Sequence, residues 1–216
     1  ERDYAGPTIP EPTGSKFDLD NWSYGIHKRA AEEALAAARF PVTVLRLPMV
    51  NSEFDHFYRI RNYLARLRDG GPILVPDGPH LLLRHVYGKD VVRAVLRVVE
   101  AEIDGAFNVG QDEAVTIDDF LGRLSGGRAK ILRVPAAMLW ERGLMPVCSP
   151  FSEPWMSALD NRLGKEMLGL AYTPLDRYLE ALVRSYDEDP VSPPGYEQRS
   201  AELDLLLEPK MAMPTL

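Results

Sequence analysis

The chain holds a single cysteine, Cys148, among its 216 residues. No disulfide can form within it. That leaves out the stapled secreted folds and fits a reducing, cytoplasmic setting. No apolar run approaches the about 20 residues that span a bilayer, and no signal-peptide pattern is visible, so no membrane partner is expected. Positive charge is in short supply. Lys and Arg number 25 against 32 Asp and Glu, for a net charge of −7, and counterion release therefore does not favour nucleic acid. Arg59, Arg61, Arg66 and Arg68 form one local basic stretch, which Asp55 and Asp69 dilute; it reads as a solvated helix face. Basic and aromatic residues do not interleave on any expected strand, which argues against an RNA role. No histidine has a second ligand at metal-binding spacing, so no metal is expected.

A phosphate-cradling turn is missing as well. Gly70-Gly71, Gly122, Gly126-Gly127 and Gly164 supply neither G-x-G-x-x-G nor G-x-x-x-x-G-K. Repeats and low-complexity blocks are absent until the tail that begins near "EDPVSPPGYEQRS".

What is present is a core-forming composition, 45 % apolar, enough for one large domain or two small ones. Residues 1–20, with Pro7, Pro10, Pro12 and Gly14, read as an extended loop. Asp20 or Asn21 is placed to cap a helix from about Trp22 to Arg39. "PVTVLRL", 41–47, is β-branched and bounded by prolines, a buried strand. Phe57, Ile60, Leu64 and Leu67 recur at helical spacing until Gly70-Gly71 stops them.

Further strands are expected at 72–78, 81–87, 105–110 and 129–135. The helix that begins near Asp90 carries Val92, Val95, Leu96 and Val99 on one apolar face. Thr116 caps the next helix, with Asp118 and Asp119 in its first turn. Residues 146–154 read as loop, and a short helix is expected at 161–168. Thr173-Pro174 opens a last long helix with Leu175, Leu179, Leu182, Val183 and Tyr186 as its stripe. "AELDLLLEP", 201–209, adds one short helix. Strands alternating with helices mean an α/β fold, with 42–47 and 105–109 paired in parallel.

"YGIHK", 24–28, carries the chemistry. Four residues turn a helix by about 400° and raise it by ~6 Å, so Tyr24 and Lys28 share a face. A free phenol, with a pKa near ~10, is a poor base at neutral pH. A neighbouring ammonium favours phenolate, and such a phenol can exchange a proton with a substrate hydroxyl or carbonyl. Gly25 leaves room for a flat ligand. Ala30, Ala31, Ala34, Ala37 and Ala38 permit close approach of the same helix to a sheet or to another helix.

Four stretches together resemble the extended short-chain dehydrogenase/reductases of the NAD-dependent epimerase/dehydratase kind: "YGIHK", "VTVLRLPMVNSE", "ILVPDGPHLLLRHVYGKDVVRAVLRVVE" and "GAFNVGQDEAVTIDDFLGRL". The likeness runs over roughly residues 5 to 187, the carboxy-terminal two-thirds of that pattern. It implies an incomplete Rossmann-like, doubly wound parallel sheet with a smaller α/β substrate-binding domain. Residues 1–71 would be the remnant of the Rossmann-like domain, 72–187 mostly the substrate domain and 188–216 a tail. Tyr24 would be the catalytic acid/base, with Lys28 binding the nicotinamide ribose of NAD or NADP. Pro48, Met49 and Val50 would border the nicotinamide, and Asn51, Arg84 and His85 would face a small-molecule substrate. A nucleotide sugar is the class the family most often uses.

The glycine turn and the family's serine or threonine would belong to roughly 100–130 residues ahead of Glu1, so the expectation is a truncated or processed chain that does not bind NAD(P) tightly by itself. The absent segment, a partner chain or a rearranged tail would have to cover the open strand edge. Two readings stay open: a portion of an NAD(P)-dependent epimerase, dehydratase or reductase, or a non-catalytic relative serving as a binding or scaffolding module. A homodimer through helices 22–39 and 55–69 is implied by the resemblance; the alanines serve equally to pack on the chain's own sheet.

Overall fold

A computed structural model of the protein describes residues 9–153 and 159–207. Expectations placed on Pro7, Pro154 and residues 208–209 lie outside these. The chain runs α1 (Lys16–Ala36), β1 (Thr43–Arg46), β2 (Val50–Asn51), α2 (Arg59–Arg68), β3 (Ile73–Pro76), β4 (Val86–Tyr87), α3 (Gly88–Ala101), β5 (Gly105–Asn108), α4 (Ile117–Leu124), β6 (Ile131–Val134), α5 (Ala136–Glu141), α6 (Arg162–Leu168), α7 (Leu175–Glu188) and α8 (Arg199–Asp204), with short 3-10 turns on either side of α8.

The strands form three parallel pairs. β1 runs beside β5 with Thr43 opposite Gly105 and Arg46 opposite Asn108; β2 lies beside β4 and β3 beside β6. The β1–β5 pair joins residues on both sides of position 71. Parallel neighbours with helical crossovers are the signature of a Rossmann-like α/β arrangement.

Ser15, rather than Asp20 or Asn21, caps α1. Its hydroxyl accepts from the Asp18 amide at 3.2 Å, and the Asp18 carboxylate accepts back from Ser15. This capping box begins the helix six residues earlier than the sequence suggested. No residue of α1 is buried. The helix is held to the rest by the Trp22 indole donating to the Ile9 carbonyl at 2.8 Å, by Phe17 against Trp140, and by Arg46 of β1 on Glu32 at 2.8 Å.

The main core gathers α2, β3, α4 and α7 around Tyr63, Ile73, Phe120, Leu121, Tyr178 and Leu182. Gly70 in a left-handed conformation ends α2 as expected, and Thr116 caps α4 by accepting from the Asp119 amide at 3.1 Å. Phe57 lies ahead of α2 and is exposed, so it is not part of that helix's apolar stripe.

Three further sequence readings need correction. Of the strand expected over 81–87, only Val86–Tyr87 is a strand; Leu83 forms an isolated bridge to Val115. On α3 the stripe Val92, Val95, Leu96 and Val99 points outward and is exposed. The helix packs instead through Ala94, Val91 and Val98 against Val86, Phe107 and Leu168.

The basic stretch on α2 is solvated only in part, with the Arg68 side chain 47 % exposed. Arg66 is fully buried and donates to Glu202 of α8 at 2.9 Å and to the Asn62 carbonyl at 3.0 Å. Arg199 of α8 donates to Glu202 at 2.8 Å and to Asp69 at 2.6 Å. The C-terminal segment is thereby anchored on α2. Gly71 lies beneath this network, where a Cβ would come within 2.5 Å of the Arg199 guanidinium.

Candidate functional site

Tyr24 and Lys28 stand one turn apart on the outer side of α1. The Lys28 ammonium lies 5.3 Å from the centre of the Tyr24 ring, within the range in which a cation is attracted to an aromatic face. Tyr24 is 63 % exposed. The pair therefore projects together, as its spacing requires, onto a solvent-open surface.

The second group of site residues sits where β2 and β4 run side by side. Asn51 ends β2 and His85 precedes β4. The Asn51 amide donates to His85 Nδ1 at 3.0 Å, which leaves the ring proton on Nε2. Both side chains are buried. Burial, with a smaller contribution from the Arg59 cation, pushes the His85 pKa down to about 3. The imidazole is thus neutral through the physiological range, a polar group rather than a proton shuttle. Phe151 and Phe120 meet the ring edge-on, with centroids at 4.5 and 5.6 Å.

Three buried polar atoms of these residues have no hydrogen-bond partner in the protein: Asn51 Oδ1, His85 Nε2 and Arg84 Nε. A buried polar group left unpaired costs about 1–3 kcal/mol. Arg84 turns the other end of its guanidinium to the Leu159 carbonyl at 2.7 Å.

Pro48, Met49 and Val50 lie on the segment from β1 into β2. The Met49 carbonyl accepts from the Val86 amide at 3.0 Å, and the Val50 carbonyl accepts from Arg59 at 3.2 Å. Arg59 is itself held by Asp55 at 2.9 Å. Gly88 lets α3 begin hard against this segment, since a Cβ there would come 2.8 Å from Ser52 Cβ. The structure thus brings Tyr24 to Lys28, and Asn51 to His85. Among the described residues no hydrogen bond or ion pair links the first pair to the second.

Sequence reasoning missed several groups beside these. Tyr87 donates to Glu53 at 2.6 Å, and Lys89 donates to the same carboxylate at 3.0 Å. Burial would raise the Glu53 pKa, but these bonds outweigh it and hold the carboxyl below its usual range. Burial lifts the Glu153 carboxyl to about 7 against the pull of the Arg59 cation. A loop glutamate gives no sequence signal of such burial. Asp90, in the first turn of α3, accepts from the Thr173 amide and hydroxyl, both at 2.8 Å, and joins α3 to the start of α7.

Among the described residues no group of three His, Cys, Asp or Glu side chains is arranged to hold a metal ion. No helix among them is long and apolar enough to cross a membrane. For a dinucleotide the fit is partial. The Tyr24–Lys28 pair presents a phenol and an ammonium on an open face, while the sequence supplies no glycine-rich turn whose backbone amides would meet a pyrophosphate.

Residues 4–110 match the model of the NAD dependent epimerase/dehydratase family. No curated protein matches the chain. Among solved structures, the Bordetella bronchiseptica enzyme WbmH in complex with NAD+ is 21 % identical, with a TM-score of 0.58 over 78 % of this chain and 53 % of that one. The UDP-glucose 4-epimerase of Thermotoga maritima, solved with UDP-glucose, is 22 % identical, with a TM-score of 0.57 over 78 % and 54 %. UDP-N-acetylglucosamine 4-epimerase from Bacillus cereus is 18 % identical, with a TM-score of 0.55 over 74 % and 53 %. The chain spans about half the length of these structures, and the likeness is one of fold.

Proposed function

Through residues 4–110 the chain belongs to the NAD dependent epimerase/dehydratase family, and from that premise we propose that it is the acid–base and substrate-facing portion of an NAD(P)-dependent enzyme acting on a hydroxyl- or keto-bearing sugar, a nucleotide sugar first among them. The observation that carries this reading is the Lys28 ammonium over the Tyr24 ring at 5.3 Å on an open helix face.

Nicotinamide, when bound, supplies the hydride acceptor or donor. Tyr24 takes the proton from the substrate hydroxyl, or returns it to a carbonyl, through its phenolic oxygen. Lys28 offers N–H donors to a ribose. Pro48, Met49 and Val50 wall the ring, with Met49 fixed through its backbone to β4. Asn51 and His85 are assigned to the substrate side by the resemblance, as is Arg84, whose cation would suit an anionic substituent.

The exposure of Tyr24 favours a second reading, in which the chain binds a nucleotide sugar or a partner without turning it over. Chemical-shift mapping separates the two. Under the enzymatic reading, NAD+ at millimolar concentration perturbs residues 24–28 and 48–50, and a UDP-hexose perturbs Asn51, Arg84 and His85. With both present, epimer or oxidised product accumulates and is lost by a factor of about 10²–10⁴ in Tyr24→Phe. Shifts from the sugar alone, with no turnover, support the binding module. Shifts confined elsewhere overturn both.

A further inference from the structure

We propose that Glu53 is a positioning residue, whose bond to Tyr87 closes the end of the β2–β4 pair and so fixes the contact between Asn51 and His85. The proposal rests on the reading of Asn51 and His85 as substrate-facing, and goes beyond it by naming what holds them in place.

β2 and β4 pair over two positions only, Val50 with Val86 and Asn51 with Tyr87. Two strands by themselves are marginal even when longer, so side chains must hold this pair. Alternation along β4 puts His85 and Tyr87 on one face, with Asn51 opposite Tyr87. Past Asn51 the ladder stops. The two segments still run so close that a Cβ on Gly88 would come 2.8 Å from Ser52 Cβ. Glu53 continues the link where the backbone does not. One of its carboxylate oxygens accepts from the Tyr87 hydroxyl at 2.6 Å and from the Lys89 ammonium at 3.0 Å.

The two donors are not equal. Lys89 is 68 % exposed, and an ion pair in water contributes little. Tyr87 is buried, and its hydroxyl would be left unpaired without Glu53, so the tyrosine bond is the one that matters. Tyr87 also gives a second route to Asn51. Its ring stacks on Tyr178 of α7, with centroids 5.5 Å apart and planes 11° from parallel. Burial pushes the Tyr178 phenol up, and the Asn51 side chain, as its neighbour, works against that rise. Glu53, Tyr87, Tyr178 and Asn51 thus form a ring of contacts that the backbone of 51–53 completes, and His85 hangs from it through Asn51 at 3.0 Å.

Nitrogen-15 NMR of the histidines in the 216-residue chain reads this contact directly, because it reports which ring nitrogen carries the proton. The wild type is expected to show His85 as a single neutral form protonated on Nε2. Glu53→Ala and Tyr87→Phe lose it and give a mixture of both tautomers. Glu53→Gln keeps an acceptor for Tyr87 and restores the single form, and Lys89→Met leaves it unchanged. In the two disruptive variants a UDP-hexose, followed by shifts at His85, binds about 10-fold more weakly, while NAD+ shifts at residues 24–28 stay as they were. Unchanged circular dichroism and a protected Cys148 show that the variants fold; should Glu53→Ala fail to fold, Tyr87→Phe, which keeps the stacked ring, reads the same contact. A His85 signature in Tyr87→Phe identical to the wild type overturns the proposal. So does one lost equally in Lys89→Met, or one that Glu53→Gln does not restore. If the ring responds as stated but the UDP-hexose shifts nothing even in the wild type, the positioning role stands and the substrate reading falls.

Discussion

Asn51 donates to His85 across neighbouring parallel strands at 3.0 Å, and the histidine so held does not take up a proton in the range where a free imidazole does. Burial depresses its pKa to about 3, whereas an unfolded chain titrates near ~6.5. The unfolded state therefore binds more protons between these values, and stability falls as pH drops from about 6.5 toward 3. Denaturant melts from pH 7 to pH 4 will show this loss, and His85→Gln will flatten it. A histidine spectrum with the imidazolium signature at pH 6 would contradict the assignment.

The buried pair Arg66–Glu202 holds α8 on α2. Removing one partner leaves a charge without compensation in the core, and Glu202→Ala is expected to cost about 3–5 kcal/mol in urea unfolding. Replacing both by apolar residues of similar volume, as in Arg66→Met with Glu202→Leu, should recover most of that loss. If the single substitution is silent, the pair does not exist as drawn.

Cys148 is buried against Met145, and its thiol is pushed up to about 12, chiefly by burial. A thiolate is the reactive form, so the native chain at pH 8 should not react with a disulfide reagent within the time in which the urea-unfolded chain consumes one equivalent.

Helix α1 has a capping box and no buried residue. Its stability is mainly local, and Ser15→Ala should remove about 0.5–2 kcal/mol from it. Hydrogen exchange checks this: amides of 18–30 lose protection in the variant, while those of β3 and α7 keep theirs.

Local chemistry was legible where residues near in sequence decide it. Thr116 with Asp119 and Gly70 after α2 behave as their types demand. β1 and β5 form the parallel pair that their β-branched and glycine-bounded runs suggested. The Tyr24–Lys28 pair follows from helix pitch alone. Where two local solutions compete, the sequence does not choose between them. Ser15, Asp20 and Asn21 are all good caps, and the reciprocal bond with Asp18 settles the matter. α3 has two apolar faces, and only the position of β4 and β5 shows which is used.

Illegible in principle were the contacts between distant residues. Arg66 looks like any surface arginine until Glu202 arrives. His85 looks titratable until Phe151 and Phe120 enclose it, and Glu153 looks like an ordinary loop acid until the fold half-buries it. The roles given to Asn51, Arg84 and His85 rest on resemblance, and the geometry adds the unpartnered atoms they present.

Arg66 and Glu202 are 136 positions apart in the chain. A nascent polypeptide emerging from the ribosome has Arg66 long before it has a counter-ion to bury with it, and α2 cannot settle into its final place until Glu202 has been synthesised. Assembly of this part of the molecule thus waits until Glu202 has been made. Until then the guanidinium must stay hydrated, and the apolar side of the helix that carries it stays available to chaperones.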